Sequence, residues 1–212
     1  MSTYDYFTAE LEHLREAALY RTLRVLEPLP ASATEVRWEG KPYTLFCSND
    51  YLGLTHDPRV CSVLEETART CGVGTGASRL ISGTTVWHDR LERDIAAFKQ
   101  KEAALVFSSG FLANLGIITA MTDEHSLIIG DKLNHASIID ACQLSRATFR
   151  IYPHCNLAKL EALLARSDSY NRTLVVTDSV FSMNGDCAPL AEISKLTKKY
   201  NALLMIDEAH AT

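Results

Sequence analysis

The chain has 212 residues, 47% apolar and 22% charged, which is the balance of a soluble globular protein with room for one substantial α/β core. Its formal net charge of −5 argues against a general nucleic-acid binder. No apolar run approaches a membrane span, and the first 15 residues lack a signal-peptide core, so a cytoplasmic setting with no membrane partner is expected.

Phe7, Leu11, Leu14 and Ala18 recur at helical spacing and predict an amphipathic helix over 2–24, ended by Pro28 and Pro30. Stretches 36–38 and 43–46 flank Glu39-Gly40-Lys41-Pro42 and read as a hairpin. A helix over 59–70 is stopped by Gly72, a glycine-rich loop runs from 72 to 83, and a further helix spans 86–100. From there strand and helix alternate. Strands are expected at 104–107, 127–129, 149–152, 173–177 and 202–206. Helices are expected at 111–121, 135–146, 157–165 and 189–200, the last with proline in its first turn. This alternation predicts an α/β fold with a mostly parallel sheet covered by helices on both faces. The N-terminal helix and hairpin, residues 1–55, are read as one segment and residues 56–212 as the larger domain. Six cysteines are scattered without a C-x-x-C pair and are expected as reduced thiols, mostly filling the core.

The last strand organises the chemistry. Its continuous apolar run reads as a buried parallel strand, and it ends in Asp207-Glu208-Ala209-His210. In open α/β sheets ligands gather outside the carboxyl ends of the strands. Ser108-Ser109-Gly110-Phe111, His135 and Ser182 each follow another predicted strand, so all of these groups can converge on one sheet edge. Backbone N–H groups at a helix start, with glycine allowing close approach, suit a phosphate. Two rival motifs fail. Gly72-Val73-Gly74-Thr75-Gly76-Ala77 lacks the preceding strand and following helix of a dinucleotide loop, and Asp207-Glu208-Ala209-His210 has no accompanying P-loop. Candidate metal ligands lack a recognisable local spacing, so no metal is expected.

Several stretches resemble the α-oxoamine synthases, a family of fold-type-I enzymes that use pyridoxal 5'-phosphate. They are Ser48-Asn49-Asp50-Tyr51-Leu52-Gly53, Gly76-Ala77-Ser78-Arg79-Leu80-Ile81-Ser82-Gly83, Ser108-Ser109-Gly110-Phe111, Asn134-His135-Ala136-Ser137, Phe181-Ser182-Met183 and Asp207-Glu208-Ala209-His210-Ala211-Thr212. The closest likeness is to the member that serves biotin synthesis. The resemblance implies that residues 56–212 form part of the cofactor-binding large domain. It implies Asp207 facing the pyridine nitrogen, His135 on the ring face as the catalytic histidine, and Ser182 and His210 at the phenolic oxygen. Gly110 and Phe111 would hold the phosphate, Arg21 would contact the acyl substrate, and Asn49 would line the substrate site. The implied reaction is a decarboxylating condensation of L-alanine with a pimeloyl thioester, carried on coenzyme A or acyl carrier protein, in a homodimer. A glycine C-acetyltransferase-type synthase and a noncatalytic partner subunit are the alternatives.

The match departs from the family at two places. Asn184 stands where an aspartate is common. The family's Schiff-base lysine follows one more strand, and Lys132, Lys195, Lys198 and Lys199 do not occupy its position. The fold is therefore expected to be truncated before the last strands and the C-terminal domain, with the chain inactive by itself. The 104–107 and 202–206 strands are expected to lack the neighbours that separate them in relatives, leaving open apolar edges.

Overall fold

The computed structural model describes residues 3–30 and 32–212. The chain divides into two compact units, Met1–Gly74 and Thr75–Thr212.

In the first unit, α1 spans Thr3–Glu16. The helix expected over 2–24 is thus too long, and Ser2 lies outside the described residues. It stops because Ala18 turns to a φ of 55° and the N–H groups of Leu19 and Tyr20 fold back onto the Leu14 carbonyl at 2.8 and 3.0 Å. The prolines play no part in this. Pro28 instead belongs to β1, Glu27–Pro28. Strands β2, Glu35–Trp38, and β3, Lys41–Thr44, complete a three-stranded antiparallel sheet in the order β1-β2-β3. The expected hairpin exists, but its turn is Glu39-Gly40 alone. Both residues have positive φ, 48° and 77°, as a tight two-residue turn requires, and Trp38 then pairs with Lys41. Helix α2, Pro58–Cys71, opens with the Asp57 carboxylate accepting from the Arg59 N–H at 2.8 Å and closes at Gly72, φ 82°.

The second unit begins with α3, Val86–Phe98, and α4, Gly110–Met121. Four parallel strands then alternate with three helices: β4 Ser126–Asp131, α5 Ala136–Leu144, β5 Thr148–Tyr152, α6 Leu157–Leu164, β6 Arg172–Asp178, α7 Leu190–Lys199 and β7 Leu203–Asp207. The strand order is β5-β4-β6-β7, parallel throughout. Alternate residues of the strands feed two cores. Leu127, Ile129 and Val175 pack with Leu160, Leu164 and Ile193 of α6 and α7, whereas Ile128, Leu174 and Val176 pack with Ile118, Ile138 and Ala141 of α4 and α5. Helices therefore cover both faces, as expected. The chain leaves β4 towards β5 and leaves β6 towards β7, so a crevice opens at the carboxyl ends of β4 and β6.

The strand expected at 104–107 is not formed. Its peptide groups are served by side chains: the Glu92 carboxylate accepts from the Val106 N–H at 2.9 Å, and Arg79 Nη1 donates to the Val106 carbonyl at 3.1 Å. Arg79 Nη2 also donates to Glu92 at 2.9 Å, and Leu105 is 67% exposed. Four cysteines, Cys47, Cys61, Cys71 and Cys187, are exposed as free thiols, which corrects the expected core-filling role. Cys142 does fill the core, and burial pushes its thiol up to about 12.

Candidate active site

A cleft of about 110 Å³ lies at the carboxyl ends of β4, β6 and β7, and Gly110, Phe111, His135, Ser182, Asp207 and His210 all line it. Six residues separated by up to 100 positions in sequence are thus brought together by the sheet and the start of α4. Arg21 and Asn49 are exposed residues of the Met1–Gly74 unit.

Each group is held by its local structure. The first four N–H groups of a helix have no intrahelical partner. At α4 the Ser109 hydroxyl accepts from Leu112 N–H at 3.2 Å and the Ser109 carbonyl from Ala113 N–H at 3.0 Å, which leaves the N–H groups of Gly110 and Phe111 for a ligand. A Cβ added at Gly110 would meet nothing within 4 Å, so the approach to this helix start is open. His135 caps α5, and its backbone N–H donates to Asp178 Oδ2 at 2.8 Å. Asp207 ends β7 with a donor on each oxygen: Asn114 Nδ2 on Oδ2 and the Ala209 N–H on Oδ1, both at 2.9 Å. The segment after Asp207 is tied back by an ion pair between Glu208 and Lys99.

Ser182 sits on a short loop closed by two backbone bonds, Phe181 N–H to the Asp186 carbonyl at 2.9 Å and Gly185 N–H to the Phe181 carbonyl at 2.7 Å. That loop is anchored through His154. Its Nε2 meets Asp186 Oδ2 at 2.6 Å and its Nδ1 meets Asp131 Oδ1 at 2.9 Å, while its ring edge packs on Phe181. Burial alone would lower the His154 pKa, but bonds to two carboxylates outweigh it and raise it. The ligand-type atoms of Asp131, His154 and Cys155 lie within 4.8 Å of one another. Both Asp131 oxygens already accept backbone N–H groups, from Leu133 and Cys155 at 2.8 Å each, so the cluster is an ion pair with its hydrogen bonds met.

A second cavity, about 770 Å³, runs beside the 104–107 stretch and the 75–84 loop. Two of its polar groups are engaged with neighbours, Arg79 with Glu92 and His88 with Thr85, whereas an acid, two histidines and a serine converge on the smaller cleft.

A family profile for aminotransferase class I and II matches residues 41–212. The chain belongs to that family. Within the aminotransferase class I and II family it is 50% identical over 97% of its length to 8-amino-7-oxononanoate synthase of Citrifermentans bemidjiense, covering 52% of that protein. It is 49% identical over 96% of its length to the synthase of the same name from Geobacter sulfurreducens, covering 51%. The chain spans about half the length of the curated relatives it matches. Serine palmitoyltransferase from S. paucimobilis, solved with a bound PLP–myriocin aldimine, superposes with a TM-score of 0.89 at 35% identity, over 99% of this chain and 52% of that one. A solved 8-amino-7-oxononanoate synthase from Francisella tularensis gives 0.63 at 29% identity, over 76% and 43%. The expected resemblance and large-domain fold are borne out.

The cleft fits pyridoxal phosphate by its donor set. Two amide donors at an open helix start suit a phosphate, a fixed carboxylate suits a protonated ring nitrogen, and an imidazole and a hydroxyl suit the phenolic oxygen. Among the described residues, the lining includes no lysine. Sequence reasoning missed four lining residues, Asn114, Ser137, Asp178 and Ala209. The available signal for Asn114 was a lone amide inside the apolar run from Phe111 to Ile118.

Proposed function

We propose that the cleft binds pyridoxal phosphate and that the whole protein condenses L-alanine with a pimeloyl thioester, on coenzyme A or acyl carrier protein, with loss of carbon dioxide. The observation that carries this reading is the convergence of Gly110, Phe111, His135, Ser182, Asp207 and His210 on one cleft. When bound, the cofactor supplies an electron sink for charge developing at the amino acid's Cα. The Gly110 and Phe111 N–H groups hold the phosphate. Asp207 accepts from the ring nitrogen and keeps it protonated. His135 covers the ring, and Ser182 and His210 fix the phenolic oxygen. Arg21 pairs with the far carboxylate of the pimeloyl chain, and Asn49 lines the substrate site. Among the described residues the cleft lining offers hydrogen bonds and charge but no lysine amine, so by itself the chain binds the cofactor and forms no product. The active form is a homodimer in the cytoplasm. The free cysteines and the helices, none of them long and apolar enough among the described residues to cross a membrane, support that setting.

Titrating the chain with pyridoxal phosphate and following intrinsic fluorescence tests the site. Saturable binding is expected, and Asp207→Asn should weaken it by about 2 kcal/mol, roughly thirtyfold. No saturation, or equal affinity in the variant, would remove the assignment. For the whole protein, product from alanine with pimeloyl thioester is expected. Turnover of glycine with acetyl thioester instead would move the reading to a C-acetyltransferase.

A further inference from the structure

Asp207 and His135 come from different strand ends, yet one buried side chain reaches towards both. Asn114, on the second turn of α4, is 6% exposed. Its amide nitrogen donates to Asp207 Oδ2 at 2.9 Å and to Ser137 Oγ at 3.0 Å, which uses both of its hydrogens. The amide orientation is fixed by chemistry, because its oxygen facing the carboxylate would set two acceptors against each other. Ser137 is buried at 1% exposure, and its oxygen, already accepting from Asn114, lies 2.7 Å from His135 Nδ1. The Ser137 backbone N–H also points at Nδ1, at 3.2 Å. A backbone N–H can only donate, so Nδ1 is an acceptor and the Ser137 hydroxyl hydrogen is directed to it. The neutral ring therefore carries its proton on Nε2.

We propose that Asn114 is a positioning residue that fixes the Asp207 carboxylate and, through the Ser137 hydroxyl, reinforces the His135 tautomer that the Ser137 N–H selects. The relay has a polarity: amide donor, hydroxyl, imidazole acceptor. It leaves Nε2–H as the hydrogen that His135 can offer to the cleft, and it locks the acid and the imidazole to one helix. The bond chain belongs to the protein without any ligand. Its role towards the cofactor rests on the reading proposed above.

Reversing the relay tests it. In the full chain labelled with 15N-histidine, long-range proton–nitrogen correlation reports the tautomer of each ring, and His135→Gln assigns the signal. Wild type should show Nε2–H alone. In Asn114→Asp the carboxylate takes the Ser137 hydroxyl hydrogen, so the hydroxyl oxygen faces Nδ1 and the signal should move towards Nδ1–H. Adding Ser137→Ala should abolish that move, because the hydroxyl carries it. Asn114→Leu keeps the shape with both donors removed, and because the Ser137 N–H still donates to Nδ1 the signal should stay at Nε2–H. An unchanged Nε2–H signal in Asn114→Asp, or an Asn114→Asp shift that persists with Ser137→Ala, would overturn the relay.

Pyridoxal phosphate titration of the same samples supplies the second readout. Asn114→Leu should bind about tenfold more weakly, and equal affinity would overturn the positioning of Asp207. If wild type does not bind at all, the cofactor reading fails, while the tautomer result still judges the relay.

Discussion

Asp178 and Asp207 stand opposite each other in neighbouring parallel strands, two carboxylates at one level of the sheet. Asp178 is buried at 6% exposure. Burial raises its pKa above the ordinary 3.8, and the Asp207 charge adds to this against the opposing His135 N–H bond. A raised carboxyl keeps its proton in the folded chain after the unfolded chain has lost it, so stability should fall as pH rises from about 3.8 to the folded value and then level off. Asp178→Asn should remove that fall in urea titrations run across this range. Asp178→Ala should cost about 2 kcal/mol at neutral pH, because it strands the His135 N–H in a partly buried position. Asp178 was hard to pick out from sequence. It ends an apolar strand like any terminal polar residue, and only the register with β7 shows that it faces a second acid.

The loop carrying Ser182 is the element with the most conditional hold. Its anchor, His154, bridges Asp131 and Asp186, and Asp131 is only 1% exposed. A histidine pKa raised above 6.5 contributes stability that is fully present below 6.5 and is lost as pH rises through the folded value. The chain should therefore weaken on going from mildly acidic to mildly alkaline pH, and His154→Gln should flatten that trend. The same substitution leaves Asp131 without its counter-charge and should cost about 3 kcal/mol at pH 6. Faster amide exchange confined to residues 181–187 would be the local signature, and protection equal to wild type would contradict the anchoring role.

The extended stretch at 104–107 depends on a different pair. The Glu92 pKa is lowered by the Val106 N–H and then by Arg79. Its contribution holds above about 4.5 and is lost as pH falls through the folded value, so Glu92→Gln should loosen this stretch at pH 7 and matter less in acid. Ala104–Phe107 also shows the limit of reading strands from apolar runs. Such a run looks the same whether its peptide groups meet another strand or, as here, a carboxylate and a guanidinium. The strands β4 and β6 were legible because both of their faces are covered, which gives unbroken apolar sequence. The end of α1 was not, because Ala18 takes a left-handed turn that nothing in its residue type announces.

At the scale of the molecule, the Thr75–Thr212 unit rests on a sheet whose central strands, β4 and β6, are buried on both faces. Ile128 has no exposed surface and sits in the core shared with α4 and α5, so Ile128→Ala should cost about 3 kcal/mol in urea unfolding. Strand β7 pairs only with β6 among the described strands, and Leu203 and Ile206 are 40% and 36% exposed. An unpaired edge with apolar side chains invites another chain. Sedimentation should show self-association that grows with concentration and is reduced by Leu203→Lys, whereas a concentration-independent monomer would contradict it. The convergence of His135, Ser182, Asp207 and His210 was legible because each follows a strand of the same parallel sheet, whereas Gly110 and Phe111 arrive at the start of α4 without the strand expected before it. Asn114 and Ser137 were not, since their contribution depends on how α4 and α5 pack face to face.

Helix α4 carries the Gly110 and Phe111 amides at its tip and Asn114 one turn later. Two open amides and the brace behind the acid thus ride on a single stiff rod. Any tilt of that rod shifts both together and preserves their spacing, so a molecule spanning the two would feel the protein breathe as a whole-body sway and not as a stretch between its ends.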